Sequence, residues 1–115
     1  MFISSYDEGY VVINKKQFRN LIIIKENRVL QENNSSDIFN NYSFDNIIKN
    51  ISAIRNIDLF LFGTGMGIIE MPDNIQNLFF QSKIKFEIMN SIAAYKTYNI
   101  LLHERRNFIS IIKVL

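Results

Sequence analysis

The stretch IDLFLFGTG, Ile57 to Gly65, decides the fold. After Asp58 come four successive apolar residues, Leu59 to Phe62, and then Gly63 and Gly65 flanking Thr64. A strand with one wet face alternates polar and apolar residues, whereas an unbroken apolar run stopped by glycines fits a strand covered on both faces. Such a strand lies centrally in its sheet, and covering it on both sides takes a layered α/β arrangement.

Downstream, Pro72 and Asp73 suit the first turn of a helix, with Ile75, Leu78 and Phe79 as its apolar stripe and an end near Gln81. KIKFEIM, 83–89, alternates Ile84, Phe86 and Ile88 with Lys85 and Glu87, the period of a half-buried strand. Ser91 is the expected cap of a last helix carrying AAYKTYNILLHERR, Ala93 to Arg106, and NFISIIKVL closes as a strand. Upstream, GYVVIN (9–14) reads as a strand. NLIIIKENRVLQ (20–31) reads as two strands split at Lys25 to Asn27. ENNSSDIFNNYS, 32–43, is rich in Asn and Ser and reads as a loop ending in Ser43 as a helix cap. Phe44, Ile47, Ile48, Ile51 and Ile54 then follow the three-four spacing of an amphipathic helix. The expected architecture is a single three-layer domain over 1–115: an N-terminal β-meander followed by αβαβαβ around a central mixed sheet.

With 115 residues the chain is long enough for one core and too short for two. Its 48% hydrophobic and 21% charged residues are those of a globular domain. The net charge of +2 comes from 13 basic and 11 acidic residues without a basic run, so nucleic acid is not an expected partner. There is no cysteine, which excludes disulfides, thiolate metal sites and cysteine nucleophiles. No apolar stretch approaches the roughly 18 residues of a membrane span. The start of the chain shows neither a signal peptide nor a transit segment, so a cytoplasmic protein is expected.

Two groups of residues invite a chemical reading. Gly63, Thr64 and Gly65 follow the buried strand, and ligands of open α/β sheets gather at the carboxyl ends of strands. The glycines could shape an anion-binding nest or simply a tight turn; the pattern lacks the spacing of a dinucleotide or Walker motif, which favours the turn. In AAYKTYNILLHERR the paired alanines would let the helix approach the sheet. Thr97 could satisfy its hydroxyl on a carbonyl one turn back, and Asn99 is either exposed or a bridge. His103 is the sole histidine, and Glu104 beside it points about 100° away around a helix, so they do not make a base and its orienter. Arg105 and Arg106 oppose the negative end of the helix dipole. No nucleophile motif and no metal-ligand pair is present, so neither an enzyme nor a cofactor or metal protein is expected.

The order LFGTG, Pro72 opening a helix, KIKFEIM, AAYKTYNILLHERR and a final strand resembles the Mth938-like domain family, domain of unknown function 498. This family includes the third mitochondrial complex I assembly factor and bacterial homologues. The family's glycine-threonine-glycine turn falls on Gly63, Thr64 and Gly65, its threonine-aromatic-asparagine element on Thr97, Tyr98 and Asn99, and its glutamate and arginine on Glu104 and Arg106. Many relatives have cysteine in place of Tyr95, threonine in place of Ser91, and glycine in place of Arg105. If that glycine is a left-handed cap, Arg105 either bears a strain of roughly 1 kcal/mol or turns the chain differently. The resemblance implies a small three-layer domain and a non-catalytic, protein-binding role in assembling a respiratory or other membrane-associated complex, peripheral to the inner membrane through its partners. The alternative is a small-molecule or anion-binding protein, or a weak enzyme, with a pocket near Gly63 to Gly65. A blander alternative has Thr97, Asn99, Glu104 and Arg106 merely tying the last helix to the sheet. Exposed sheet edges would also allow a homodimer.

Overall fold

The computed structural model describes residues 3–7, 9–25, 27–35, 37–49 and 56–115. The chain runs β1 (Ile3–Asp7), β2 (Tyr10–Ile13), β3 (Lys16–Phe18), β4 (Leu21–Lys25), β5 (Arg28–Asn33), α1 (Tyr42–Lys49), β6 (Leu59–Gly63), α2 (Asp73–Gln81), β7 (Lys85–Met89), α3 (Ser91–His103) and β8 (Phe108–Lys113). The class is α/β with a central mixed sheet, as the apolar run at Leu59 to Phe62 implies.

That sheet has the order β5-β4-β8-β6-β7. β6 is parallel to β7 and β8, while β4 is antiparallel to β8 and β5. The connections β6-α2-β7 and β7-α3-β8 step in opposite directions along the sheet, so crossovers of one hand place α2 and α3 on opposite faces. One face packs Ile22, Ile24, Leu61 and Ile112 against Ala94, Tyr95, Tyr98 and Leu101 of α3. The other packs Phe60, Phe62, Ile109 and Ile111 against Phe44 of α1 and Phe79 of α2. There the rings of Phe39, Phe44, Phe60, Phe62, Phe79 and Phe86 interlock, several edge to face at centroid distances of 5.1 to 6.1 Å.

Three expectations need correction. The N-terminal strands are not one meander: β1, β2 and β3 form a separate antiparallel sheet packed beside α3, and only β4 and β5 join the central one. The stretch 32–43 is not wholly a loop, because Glu32 and Asn33 pair with β4 and the helix begins at Tyr42. Both helix caps lie before the residues expected. Asn41 accepts the Phe44 N–H at 2.8 Å and Asn90 the Ala93 N–H at 2.9 Å, which puts Ser43 and Ser91 inside their helices. Ile51 and Ile54 lie outside the described residues.

Candidate functional site

Each residue of the Gly63, Thr64, Gly65 turn has a separate physical task. A Cβ on Gly63 would lie 2.8 Å from the Ala94 Cβ, so glycine there lets α3 settle directly onto β6, and the buried Ala94 supplies the matching small side. Thr64 is buried and organises the loop beyond the strand. Its hydroxyl donates to the Gly67 carbonyl, with the Met89 carbonyl a second acceptor at 3.3 Å, and it accepts the Ile69 N–H at 3.3 Å. Gly65 has φ +96°, a left-handed conformation that favours glycine. Its N–H donates to Ser91 Oγ at 2.8 Å, its carbonyl accepts the Ser91 N–H at 2.8 Å, and Ser91 Oγ in turn donates to the Lys113 carbonyl. The amides of Thr64, Gly65 and Ile69 are thus all spent within the chain. Those three donors are not open to an anion.

The remaining candidates do not converge on this turn. Thr97 is half-buried and donates to Met89 Sδ at 3.3 Å, not to a carbonyl one turn back. Tyr98 is buried and lies edge-on to Phe108 at 5.5 Å, and burial pushes its phenol pKa well up. Asn99 proves to be a bridge: it accepts the Ile3 N–H at 2.8 Å and donates to the Ile3 carbonyl at 3.1 Å, fastening β1 to α3. Glu104 is the exposed C-cap of α3, and Arg106 sits 3.7 Å from Asp58 at the surface. At about 1.5 Å per residue the 13 residues of α3 hold Glu104 and Arg106 about 20 Å from the Gly65 turn. The structure therefore joins Gly65 to Ser91, and Thr97 to β7, but assembles no common constellation from the eight residues.

What the sequence reading missed lies just past Gly65. Met66 and Ile68 are 88% and 68% exposed, and Ile69 is exposed beside them. Met66 shares a cavity of about 440 Å³ with Tyr6, Asp7, Ile92 and Leu115, so the loop meets a largely apolar hollow through Met66 beyond the carboxyl end of β6. The floor of this hollow is stiff: Leu115 N–H donates to Tyr95 Oη at 3.3 Å, and the Leu115 carbonyl accepts from Gly9 N–H. The available signal was MGII, 66–69, apolar residues in a segment with neither strand nor helix period.

Among the described residues no helix is long and apolar enough to cross a membrane. Comparison with known proteins places this geometry. The chain is 26% identical over 112 residues to a Francisella tularensis subsp. holarctica protein named "13 kDa major membrane protein", covering 97% of this chain and 89% of that one. A crystal structure described as an outer membrane protein from Bartonella henselae superposes with a TM-score of 0.80 at 21% identity, over 97% of this chain and 92% of the other. A Bordetella pertussis structure described as a Mth938-like domain superposes with a TM-score of 0.74 at 18% identity, over 98% and 85%. These likenesses establish the fold. The family model described as "Protein of unknown function (DUF498/DUF598)" matches residues 3–112, and the chain belongs to that family.

Proposed function

We propose that this protein is a non-catalytic docking module whose partner is a protein subunit of a membrane-associated assembly. The observation that carries the reading is the run of exposed apolar residues at Met66, Ile68 and Ile69, whose Met66 opens onto a cavity shared with Ile92, Tyr6 and Leu115. Single exposed apolar residues are ordinary, but three within four positions, held on a fixed backbone beside an apolar cavity, suit a binding surface. Here Thr64 and Ser91 pin the backbone, so little loop entropy is lost on docking. The membrane-protein names of two relatives support the place of action. A respiratory complex under assembly is the specific instance that the family resemblance suggests.

The test is affinity purification of the tagged protein from its own cells, comparing wild type with Ile68→Ser and with Lys49→Ser, a change on α1 outside the patch. Recovery of defined membrane-complex subunits by wild type and by Lys49→Ser, but not by folded Ile68→Ser, is the expected result. Equal recovery with Ile68→Ser, or no such subunits with wild type, would overturn the reading.

A further inference from the structure

The edge of the central sheet at β7 carries a pattern that matches itself. Among the described residues β7 pairs only with β6, in unbroken register from Leu59 opposite Lys85 to Gly63 opposite Met89. The Met89 carbonyl turns inward to the Thr64 N–H, so by alternation the N–H and C=O groups of Phe86 and Ile88 turn outward along the open side. The opposite edge, β5, is blunted by a register shift against β4 at Ile23 and Ile24, a device that discourages edge pairing; β7 has no such shift.

We propose that β7 pairs antiparallel with β7 of a second copy of this chain, with Phe86 on the two-fold axis. Residues whose numbers sum to 172 then face one another. Phe86 meets itself, Ile84 meets Ile88, and each Lys85 stands opposite Glu87 of the second copy. Parallel pairing in register would instead set lysine against lysine and glutamate against glutamate, so the charges choose the antiparallel, closed arrangement. Lys85 and Glu87 are both exposed, on the sheet face where α3 covers β6 and β8. Their two symmetric pairs set direction and register, while area comes from the other face. There Phe80, 64% exposed, lies 6.2 Å from the Phe86 ring, and a cleft of about 720 Å³ runs around the β7 edge, from Phe80 and Phe86 on this face to Lys85, Glu87 and Leu101 on the α3 side. In the two-fold arrangement both copies present α2 on the same side, so Phe80 of each closes over the seam. This surface is separate from the Met66 loop and stands whether or not that loop docks a protein.

Sedimentation equilibrium on the full chain from about 10 µM to about 1 mM tests it. Wild type is expected to dimerise in this range, Glu87→Lys and Lys85→Glu each to weaken dimerisation by about tenfold or more, and Lys85→Glu combined with Glu87→Lys to restore it. Phe80→Ser should also weaken it, independently of charge. A wild type that stays monomeric throughout, a dimer indifferent to the single reversals, or a double reversal that fails to restore association would each overturn the proposal.

Discussion

Arg105 sits at φ 57° directly after the cap of α3, and its N–H and that of Arg106 return to the Leu102 and Leu101 carbonyls at 3.1 and 3.0 Å. This is the double hydrogen bond of a Schellman ending, in which the left-handed position favours glycine. Lys83 does the same after α2, at φ 57°. The strain expected of Arg105 from the sequence is therefore present, offset by a cation near a helix C-terminus. Replacing arginine by glycine alone mixes both effects, but Arg105→Gly and Arg105→Ala lose the same cation. Relief of the left-handed strain, about 1 to 2 kcal/mol, exceeds the added unfolded-state entropy of glycine, about 0.5 to 1 kcal/mol. Urea unfolding should thus find the glycine variant more stable than the alanine variant by about 1 kcal/mol, the reverse of the order inside a helix. A second residue-scale expectation concerns Ser110, fully buried in β8, whose hydroxyl has no hydrogen-bond partner among the described residues. Burying an unpaired hydroxyl costs free energy, so Ser110→Ala should raise the unfolding free energy by about 1 kcal/mol; a loss of stability would show that the hydroxyl is satisfied in solution.

At the scale of elements, what was legible is what the local pattern determines. The apolar run of β6, the alternation of β7 and the stripe of α2 each announce a periodicity that packing then uses. β1 and β3 were missed for an opposite reason: KQF is three residues with two polar side chains, and ISSYD interleaves serine without a clear apolar face. They are strands because β2 supplies ladder partners on both sides, a tertiary cause that no short window contains. The caps shifted because Asn41 and Ser43, two positions apart, and Asn90 and Ser91, side by side, are all good capping residues, and the choice falls to whichever geometry also serves its surroundings. Asn41 also donates to the Asp37 and Ile38 carbonyls, and Ser91 is needed between Gly65 and Lys113. Asn99 belongs to this scale because it couples elements 96 residues apart through both groups of the Ile3 backbone. Asn99→Ala should cost about 1 to 3 kcal/mol by leaving those groups unpaired. Amide exchange should show the loss concentrated at Ile3 and its β2 neighbours, with β6 and β8 protected as before. Uniform loss across the central sheet would mean that β1 is not a separable unit.

For the molecule as a whole, sequence order misleads about the site. AAYKTYNILLHERR gathers hydroxyl, phenol, amide, carboxylate and guanidinium in one line, but a helix spreads that line from the sheet's carboxyl end to its amino end and turns half of it inward. Compactness in sequence is not convergence in space, and the exposed loop at Met66 became visible only once the fold had placed Ile92, Tyr6 and Leu115 beside it. The inward half has a whole-molecule consequence that pH can read. Tyr95 and Tyr98 are both buried under the sheet, and burial raises the pKa of each above the ordinary 10.0, even though the Leu115 N–H bond to Tyr95 works the other way. Below about pH 10 folded and unfolded states both keep these phenols protonated, so neither contributes a slope. Above it the unfolded chain releases protons that the folded core retains, the unfolded state binds fewer, and stability must fall as pH rises. The limiting slope is about 1.4 kcal/mol per pH unit for each tyrosine. Urea unfolding between pH 8 and 12 should therefore show stability declining from about pH 10, with a shallower decline in Tyr98→Phe. The slope is the quantity to compare, since the substitution also changes the level. An unchanged slope in that variant would mean that the Tyr98 phenol ionises as readily in the fold as outside it, and that the core around Phe108 is open to water at high pH.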